Sequence, residues 1–310
     1  MWIIPGAHKA ATTTVQQVFA KNLGRLQNSK VCIIDRDEFY GSVFRKYLSE
    51  GIYYQGNSVS VDMAKEGLLS ICKGYGNVDT YIFFVENMFG EPLYGMWSKV
   101  RPTPCLYPGF EIGLKKFIAA ASGLFSLKGL YFIRRQDEFI DSLYAEYIHN
   151  GFNVSPRDYL MALLGCDLAW GRIVSIFERQ LGEPVKVVPF EEIKSGKKQF
   201  VSKIMKCLGL DATLFGWDLN VFENPSLDMK GMRVAISAFP ALDEPLRREL
   251  VKLLRFNLNM HKGERYSIFL DDTERFEIAR RHSTENIHLI NISGGWEPSV
   301  MEFYRAGGGK

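Results

Sequence analysis

One short segment near the start of the chain combines residue types that bind anions. It lies between an apolar run at 2–5 and an amphipathic run at 12–26, and it reads Gly6-Ala7-His8-Lys9-Ala10-Ala11-Thr12-Thr13-Thr14. A loop of small residues between a strand and a helix directs backbone N–H groups and the positive helix end at an anion. Lys9 adds a positive charge, and the threonine hydroxyls add donors. The segment predicts a phosphate-binding loop, although an ordinary β–α turn capped by threonines fits the same residues.

A second candidate anion site follows a later apolar run, at 130–133. Arg134 and Arg135 come directly after this run, and Ser142 lies eight positions beyond Arg134 in an expected helix. Two cations at the start of a helix are not stabilised by its dipole. A solvent-exposed charge pair is therefore the weaker explanation, and the arrangement favours binding of a second anionic group.

Five short apolar runs predict the strands that must position these residues. They lie at 2–5, 31–34, 80–85, 130–133 and 185–188, and helical patterns alternate with them. Near-continuous apolar runs are typical of strands buried on both faces of a parallel sheet. Alternating strands and helices predict an α/β fold with a parallel sheet.

The helical patterns extend beyond the last predicted strand. Periodicity predicts helices over 12–26, from Ser155 through Phe177, over 198–208, over 245–258 and over 272–281. No strand pattern occurs after about residue 222. We therefore expect one domain over 1–310, divided into an α/β core at 1–222, with insertions at 38–77 and 88–128, and a helical extension at 223–310.

Composition limits the class of protein. The chain has 310 residues, with 38 Lys+Arg against 35 Asp+Glu, a formal net charge of +3, and 46% hydrophobic residues. This balance excludes a protein that coats duplex nucleic acid and a disordered chain. No apolar run is long enough to span a bilayer, no secretory signal is evident, and the five cysteines form no C-x-x-C pair. We expect a cytoplasmic protein with free thiols, no membrane span and no metal site.

The motifs resemble those of the PAPS-dependent sulfotransferases, particularly bacterial members (PAPS is 3′-phosphoadenosine 5′-phosphosulfate). Gly6-x-His8-Lys9-x-x-Thr12-Thr13 resembles the family's 5′-phosphosulfate loop, and Arg134 and Ser142 have the spacing of its 3′-phosphate motif. Asn224-Pro225-Ser226-Leu227 matches a further segment, so the resemblance extends from residue 2 to about 227. It differs at Ala11, where the family has a glycine that allows close approach to a phosphate.

The resemblance implies a fold, a co-substrate and a set of binding residues. The fold is a three-layer arrangement like that of P-loop NTPases, with a central, mainly parallel five-stranded sheet. PAPS is the co-substrate and PAP the product, and no metal is needed. Lys9 would stabilise the departing phosphate. The expected PAPS-binding residues are Gly6, Ala7, His8, Lys9, Ala10, Ala11, Thr12, Thr13, Arg134 and Ser142.

Sulfuryl transfer to a hydroxyl also requires a general base. Ligands of open parallel sheets bind beyond the carboxyl ends of the strands. Glu86 follows the run at 80–85, Asp35 follows the run at 31–34, and His8 lies in the loop itself. We favour Glu86, whose context is similar to that of the glutamate base in heparan-type sulfotransferases, then His8 and then Asp35. Capping of the turn at Asn87 is an equally good explanation of Glu86.

The insertions at 38–77 and 88–128 would bind the acceptor, which is predicted by class only. A carbohydrate or glycoconjugate hydroxyl is the leading expectation, and a glycolipid or a peptide tyrosine is left open. The near-neutral total charge favours a short acceptor over a long polyanion. Two other functions compete: a P-loop phosphotransferase that uses ATP and Mg²⁺, which the absence of Gly-Lys-Ser/Thr opposes, and a non-catalytic nucleotide-binding or interaction protein of the same fold. The oligomeric state is not predicted.

Overall fold

A computed structural model describes residues 1–6, 12–34, 36–53, 58–76, 78–92, 104–163, 165–216, 226–261 and 270–305. Within them, five strands form one parallel sheet: β1 Trp2–Ile4, β2 Val31–Ile33, β3 Thr80–Phe84, β4 Lys128–Ile133 and β5 Lys186–Pro189. The strand order is β2-β3-β1-β4-β5. All five strands occur where apolar runs predict them, so the predicted α/β fold with a five-stranded parallel sheet is confirmed.

Helices connect and cover the strands. Those before β5 are α1 Thr12–Lys21, α2 Leu23–Asn28, α3 Arg36–Tyr40, α4 Val43–Ser49, α5 Val61–Lys73, α6 Phe110–Ala121, α7 Gln136–His149, α8 Pro156–Leu163 and α9 Trp170–Leu181. Those after it are α10 Lys197–Leu208, α11 Met229–Ala238, α12 Glu244–Lys252, α13 Asp272–Ser293 and α14 Pro298–Arg305. Short 3₁₀ turns lie at Phe190–Ser195, Ala212–Leu214 and Phe239–Ala241, and a π-helix at Leu253–Asn257 continues α12.

One face of the sheet packs against α4, α6 and α9. The Phe83 ring of β3 contacts Phe44 and Phe117, with ring centroids 6.1 and 5.3 Å apart. On β4, the Tyr131 ring meets Phe110 of α6 at 6.0 Å and Trp170 of α9 at 6.1 Å. Aromatic side chains therefore fill the layer between this face and its helices, in the edge-on and tilted arrangements that such rings prefer.

The opposite face packs against α1 and α10. Phe84 and Phe132, each next in sequence to a residue of the first face, stack on one another at 5.8 Å. Phe84 meets Phe19 of α1, and Phe132 meets Phe200 of α10. Because side chains alternate between the faces of a strand, continuous apolar strands bury both faces. This produces the predicted three layers of helices, sheet and helices.

Two predicted helices are each divided in the structure. The helix expected over 12–26 breaks at Asn22, whose side chain donates to the Val18 carbonyl at 2.8 Å and accepts from the Gly216 N–H at 2.8 Å. The helix expected from Ser155 through Phe177 ends at Leu163, and Gly165 has a φ of +79°. These breaks come from a distant contact and from left-handed backbone, neither of which interrupts the apolar periodicity.

The last two helices pack on the core. α13 runs to Ser293, well beyond the predicted end at 281, and contacts α7, α9 and β5. The buried Asn286 amide of α13 donates to Gln136 of α7 at 2.7 Å and accepts from it at 3.2 Å. Within the described residues, no helix is both long and apolar enough to cross a membrane.

Candidate active site

The β1–α1 connection leaves the sheet between two strands that carry candidate site residues. Ile4 of β1 pairs with Phe84 of β3, so Gly6 and Glu86 each lie two residues beyond the same pair. Neighbouring strands are about 4.7–4.9 Å apart, so the two residues follow adjacent strands at one level. Gly6 has a φ of +55°, which glycine adopts without strain. The chain therefore turns out of β1 beside the residue predicted as the base.

Arg134 directly follows β4, the strand on the other side of β1. Ile3 pairs with Gly129, and β4 then continues to Ile133. The predicted base, the predicted anion loop and the predicted 3′-phosphate cation thus follow three adjacent strands, in the order β3, β1, β4. Carboxyl ends of parallel strands are where open sheets bind ligands.

Several predicted site residues lie outside the described residues. They are Ala7, His8, Lys9, Ala10, Ala11 and Asp35. The backbone of α1 begins at Thr12, but the side chains of Thr12 and Thr13 are not described. The assignments to these residues stay predictions, and Gly6, Glu86, Arg134 and Ser142 are the site residues that the structure describes.

A glutamine positions the first turns of α1. The Gln16 side chain donates from Nε2 to the carbonyl oxygen of Phe84 at 3.0 Å. Phe84 is the last residue of β3, so this bond ties the helix that follows the loop to the strand that precedes Glu86. The sequence pattern contains no indication of this contact, because it joins residues 68 positions apart.

Arg134 is held on three sides. Its Nη2 donates to Oε2 of Glu138 at 3.2 Å, and its guanidinium carbon lies 4.4 Å from the Phe190 ring centroid. Its carbonyl oxygen accepts from the Trp170 indole N–H at 2.6 Å. Only 14% of the Arg134 side chain is exposed. Backbone and side chain are thus both fixed where β4 ends.

Ser142 lies on the helix face that Arg134 reaches. Glu138 and Ser142 are four residues apart in α7 and so share a face of the helix. Ser142 is half-buried. Arg134 therefore contacts, through Glu138, the face of α7 on which Ser142 lies. The assignment of Arg134 and Ser142 to a 3′-phosphate site stays a prediction.

Glu138 lies between two arginines. Arg275 of α13 contacts Oε1 of Glu138 at 3.0 Å and Oδ2 of Asp137 at 3.3 Å, and it also pairs with Asp141. Burial opposes ionisation of Glu138, but Arg134, Arg275 and Arg135 together hold its pKa below the ordinary value. Glu138 could have been found from its spacing to Arg134, whereas Arg275 comes from 137 positions away.

Arg135 is buried and all of its described contacts are to other parts of the protein. It is 3% exposed, and its Nε and Nη2 bind the two oxygens of Asp137 at 2.6 and 2.8 Å. Its guanidinium lies 3.9 Å from the Phe303 ring centroid of α14 and donates to the Phe303 carbonyl at 3.2 Å. Its backbone N–H donates to buried Glu191 at 3.1 Å. Arg135 therefore connects the core to the C-terminal helices.

The turn that carries Glu86 is fixed by its neighbour. The Asn87 side chain accepts a hydrogen bond from the Tyr40 hydroxyl and donates to buried Glu91 at 3.5 Å. Met88 N–H donates to the Val85 carbonyl at 3.3 Å, which closes the turn. Glu86 itself is half-buried. Tyr40 and Glu91 belong to the two predicted insertions, so both insertions reach the end of β3.

Burial sets the protonation state of two core thiols. All five cysteines are free, and Cys32, Cys72 and Cys105 are buried. Burial raises the pKa of Cys32 and of Cys72 to about 12, so both stay protonated at neutral pH. Across the described segments, no group of three or more His, Cys, Asp or Glu side chains is arranged to hold a metal ion.

The strand order and the cations at the carboxyl edge define a three-layer α/β protein with a candidate anion site. Comparison with solved structures finds the crystal structure of a sulfotransferase from Alicyclobacillus acidocaldarius, with 15% sequence identity and a TM-score of 0.41. The match covers 80% of this chain and 93% of that one. No family model matches the chain, and no curated protein matches it.

Proposed function

We propose that this chain is a PAPS-dependent sulfotransferase. The observation that carries the proposal is the order of groups along the sheet edge. Gly6 begins the lysine-containing loop, Glu86 follows the strand on one side, and Arg134 follows the strand on the other. A donor with a transferable sulfuryl group at one end and a 3′-phosphate at the other fits this order, because it needs two separate anion sites with a base beside the first.

The reaction is an in-line transfer. The acceptor hydroxyl oxygen attacks the sulfur of PAPS, the bond from sulfur to the bridging oxygen breaks, and PAP departs with that oxygen. The Glu86 carboxylate takes the hydroxyl proton, and Lys9 stabilises the negative charge that develops on the departing phosphate. Thr12, Thr13 and the loop N–H groups hold the 5′-phosphate. Positioning and electrostatic stabilisation supply most of the catalysis, as in phosphoryl transfer.

Arg134 and Ser142 hold the 3′-phosphate. This group distinguishes PAPS from ATP-like nucleotides, so the pair provides donor specificity. Glu138 already binds Arg134 at 3.2 Å, and an arriving phosphate must share or replace that contact. Arg275 lies 3.0 Å from the other oxygen of Glu138, so it continues to neutralise the Glu138 carboxylate when a phosphate displaces Arg134.

The acceptor is a hydroxyl compound, with a saccharide or glycoconjugate as the leading class, and the reaction takes place in the cytoplasm. The acceptor approaches from the side of β3, where the insertions contribute Tyr40 and Glu91 to the turn after Glu86. Residues 1–310 act as one unit in this proposal, because the C-terminal helices support the strand end that carries Arg134 and Arg135.

Calorimetric titration with PAP tests both anion sites together. We expect wild type to bind PAP, Arg134→Ala to weaken binding by about tenfold or more through loss of a charge-assisted contact, and Lys9→Ala to abolish transfer while the fold is kept. Glu86→Gln should retain PAP binding and lose turnover. Two matched controls replace a cation away from the candidate site. Lys30→Ala lies before β2, at the amino end of the strands, and Arg179→Ala replaces an exposed arginine paired with Glu111.

The outcomes separate the competing functions. Stabilisation by ATP with Mg²⁺ and not by PAP would establish the phosphotransferase alternative. PAP binding without transfer to any acceptor in a broad hydroxyl panel would establish a non-catalytic nucleotide-binding protein. Wild-type turnover in Lys9→Ala would overturn the assignment of the loop.

A further inference from the structure

Two arginines lie over the ring of Tyr40, near the turn that carries Glu86. Arg36 is the first residue of α3, and Arg45 lies in α4. The guanidinium carbon of each lies 5.3 Å from the Tyr40 ring centroid. Arg45 is also 5.7 Å from the Phe39 centroid and 6.0 Å from the Tyr53 centroid. The aromatic rings hold both cations by their faces, which leaves guanidinium N–H edges for hydrogen bonding.

Aromatic rings, and no ion pair among the described residues, surround these two arginines. Within the described segments, Arg36 and Arg45 form no ion pair, and Arg45 donates to the Met88 carbonyl oxygen at 3.4 Å. The arginines after β4 differ, because Arg134 binds Glu138 and Arg135 binds Asp137. Two cations close to one ring repel each other, and an anion that contacts both offsets that repulsion.

The cluster is joined to the proposed reaction centre. The Tyr40 hydroxyl donates to the Asn87 side chain, and Asn87 follows Glu86 directly. Arg36 is exposed, and Tyr40 and Arg45 are half-buried, so a ligand can reach these three residues. The cluster lies on the β2 and β3 side of the loop, whereas Arg134 lies on the β4 side. It therefore belongs to the acceptor half of the site.

We propose that Arg36, Tyr40 and Arg45 form a subsite for a negatively charged group on the acceptor, a carboxylate or a sulfate ester near the reacting hydroxyl. This inference rests on the proposed sulfotransferase function. Guanidinium groups bind such planar or tetrahedral oxyanions through paired N–H donors. Burial raises the pKa of Tyr53 to about 12, so its hydroxyl stays protonated beside the subsite.

The subsite narrows the acceptor class. The chain has a net charge of only +3, which does not support a long basic groove for a polyanion. Two local cations instead match one or two acidic groups on a short acceptor. An acidic saccharide, in which a carboxylate and several hydroxyls lie within one ring, satisfies both conditions.

The test uses binding of paired probes in the presence of PAP. Titration with 4-nitrophenyl glucuronide, 4-nitrophenyl glucoside and glucose 6-sulfate compares a carboxylate, a neutral sugar and a sulfate ester. We expect wild type to bind at least one anionic probe about tenfold more tightly than the glucoside. Arg36→Met and Arg45→Met should each remove most of that preference, Arg45→Lys should restore part of it, and PAP affinity should not change. Arg179→Met, an exposed arginine paired with Glu111, is the matched control.

Two results would overturn the subsite. The first is that wild type binds the anionic and neutral probes equally, or binds none of them. The other is an unchanged preference in the Arg36→Met/Arg45→Met double variant. The failure of the proposed function looks different: wild type would not bind PAP, while the preference for an anionic probe and its loss in the two variants would persist.

Discussion

At the residue scale, the candidate site depends on how Glu138 shares its charge. Its carboxylate contacts Arg134 at 3.2 Å and Arg275 at 3.0 Å, in a side chain that is 33% exposed. The contact to Arg134 competes with any phosphate that this arginine binds. The same carboxylate stabilises the folded chain, because its pKa is held below the ordinary value despite burial. Under the proposed function, this one residue therefore lowers nucleotide affinity while it raises stability.

The variant Glu138→Gln tests this balance. We expect PAP affinity to rise several-fold, because Arg134 loses its competing carboxylate. The free energy of unfolding should fall by about 1 kcal/mol at neutral pH, a modest value because solvent screens the pair. A lowered folded pKa gives stability that is present above the unfolded carboxyl pKa of about 4.3 and lost as pH falls through the folded value. The difference from wild type should thus shrink as pH falls below about 4.3.

Urea unfolding at several pH values and PAP titration supply the two readouts for Glu138→Gln. Glu183→Gln, at an exposed position, is the control and should alter neither. Lower stability with unchanged PAP affinity would mean that Arg134 serves the ion pair alone and takes no part in binding the nucleotide.

At the element scale, the sequence predicts the strands better than the helix ends. A strand such as β3 packs against helices on both faces, so it forms a nearly continuous apolar run that is easy to detect in the sequence. The break at Asn22 depends on a hydrogen bond to Gly216, 194 positions away, which no local pattern records. The candidate site likewise combines residues that local patterns locate with residues that only distant contacts place. Arg134 and Ser142 are predictable because one strand end and one helix hold them, whereas Gln16 and Arg275 act through distant contacts.

Gly113 lets α6 pack closely against the turn after β3, and replacing this glycine tests that packing. A Cβ atom on Gly113 would lie 2.8 Å from Cδ1 of Ile52 and 3.0 Å from Cα of Phe89, which is three residues after Glu86. Gly113→Ala should lower the free energy of unfolding by about 1–3 kcal/mol, since overpacking exceeds the helical gain. Because Phe89 must move, we also expect turnover to fall with little change in PAP affinity.

The matched variant for Gly113→Ala is Gly24→Ala in α2. Nothing lies within 4 Å of a Cβ atom there, so only helix propensity changes. We expect a gain of up to about 1 kcal/mol. Urea unfolding compares the two variants, and equal effects on stability would show that α6 has room to shift away from the turn.

At the scale of the whole molecule, the C-terminal helices complete the part of the core that carries the arginines. The Phe303 ring of α14 lies 3.9 Å from the guanidinium of Arg135, and the Tyr304 hydroxyl donates to Glu191, which follows β5. Glu191 is 2% exposed and also accepts from the Arg135 backbone N–H. The extension therefore supplies partners for charged groups that the α/β core buries, and we expect core and extension to unfold together.

Tyr304→Phe tests that coupling, because it removes one donor from a buried carboxylate and leaves the ring in place. Burial raises the pKa of Glu191, although the Tyr304 hydroxyl opposes this. A raised folded pKa means that stability falls as pH rises above the ordinary carboxyl value of about 4.3, and loss of the donor steepens the fall. We expect a cost of about 1–3 kcal/mol at about pH 8 and a smaller one at about pH 4. Calorimetry should show one transition moved to lower temperature, whereas a separate early transition would mean that the extension unfolds alone.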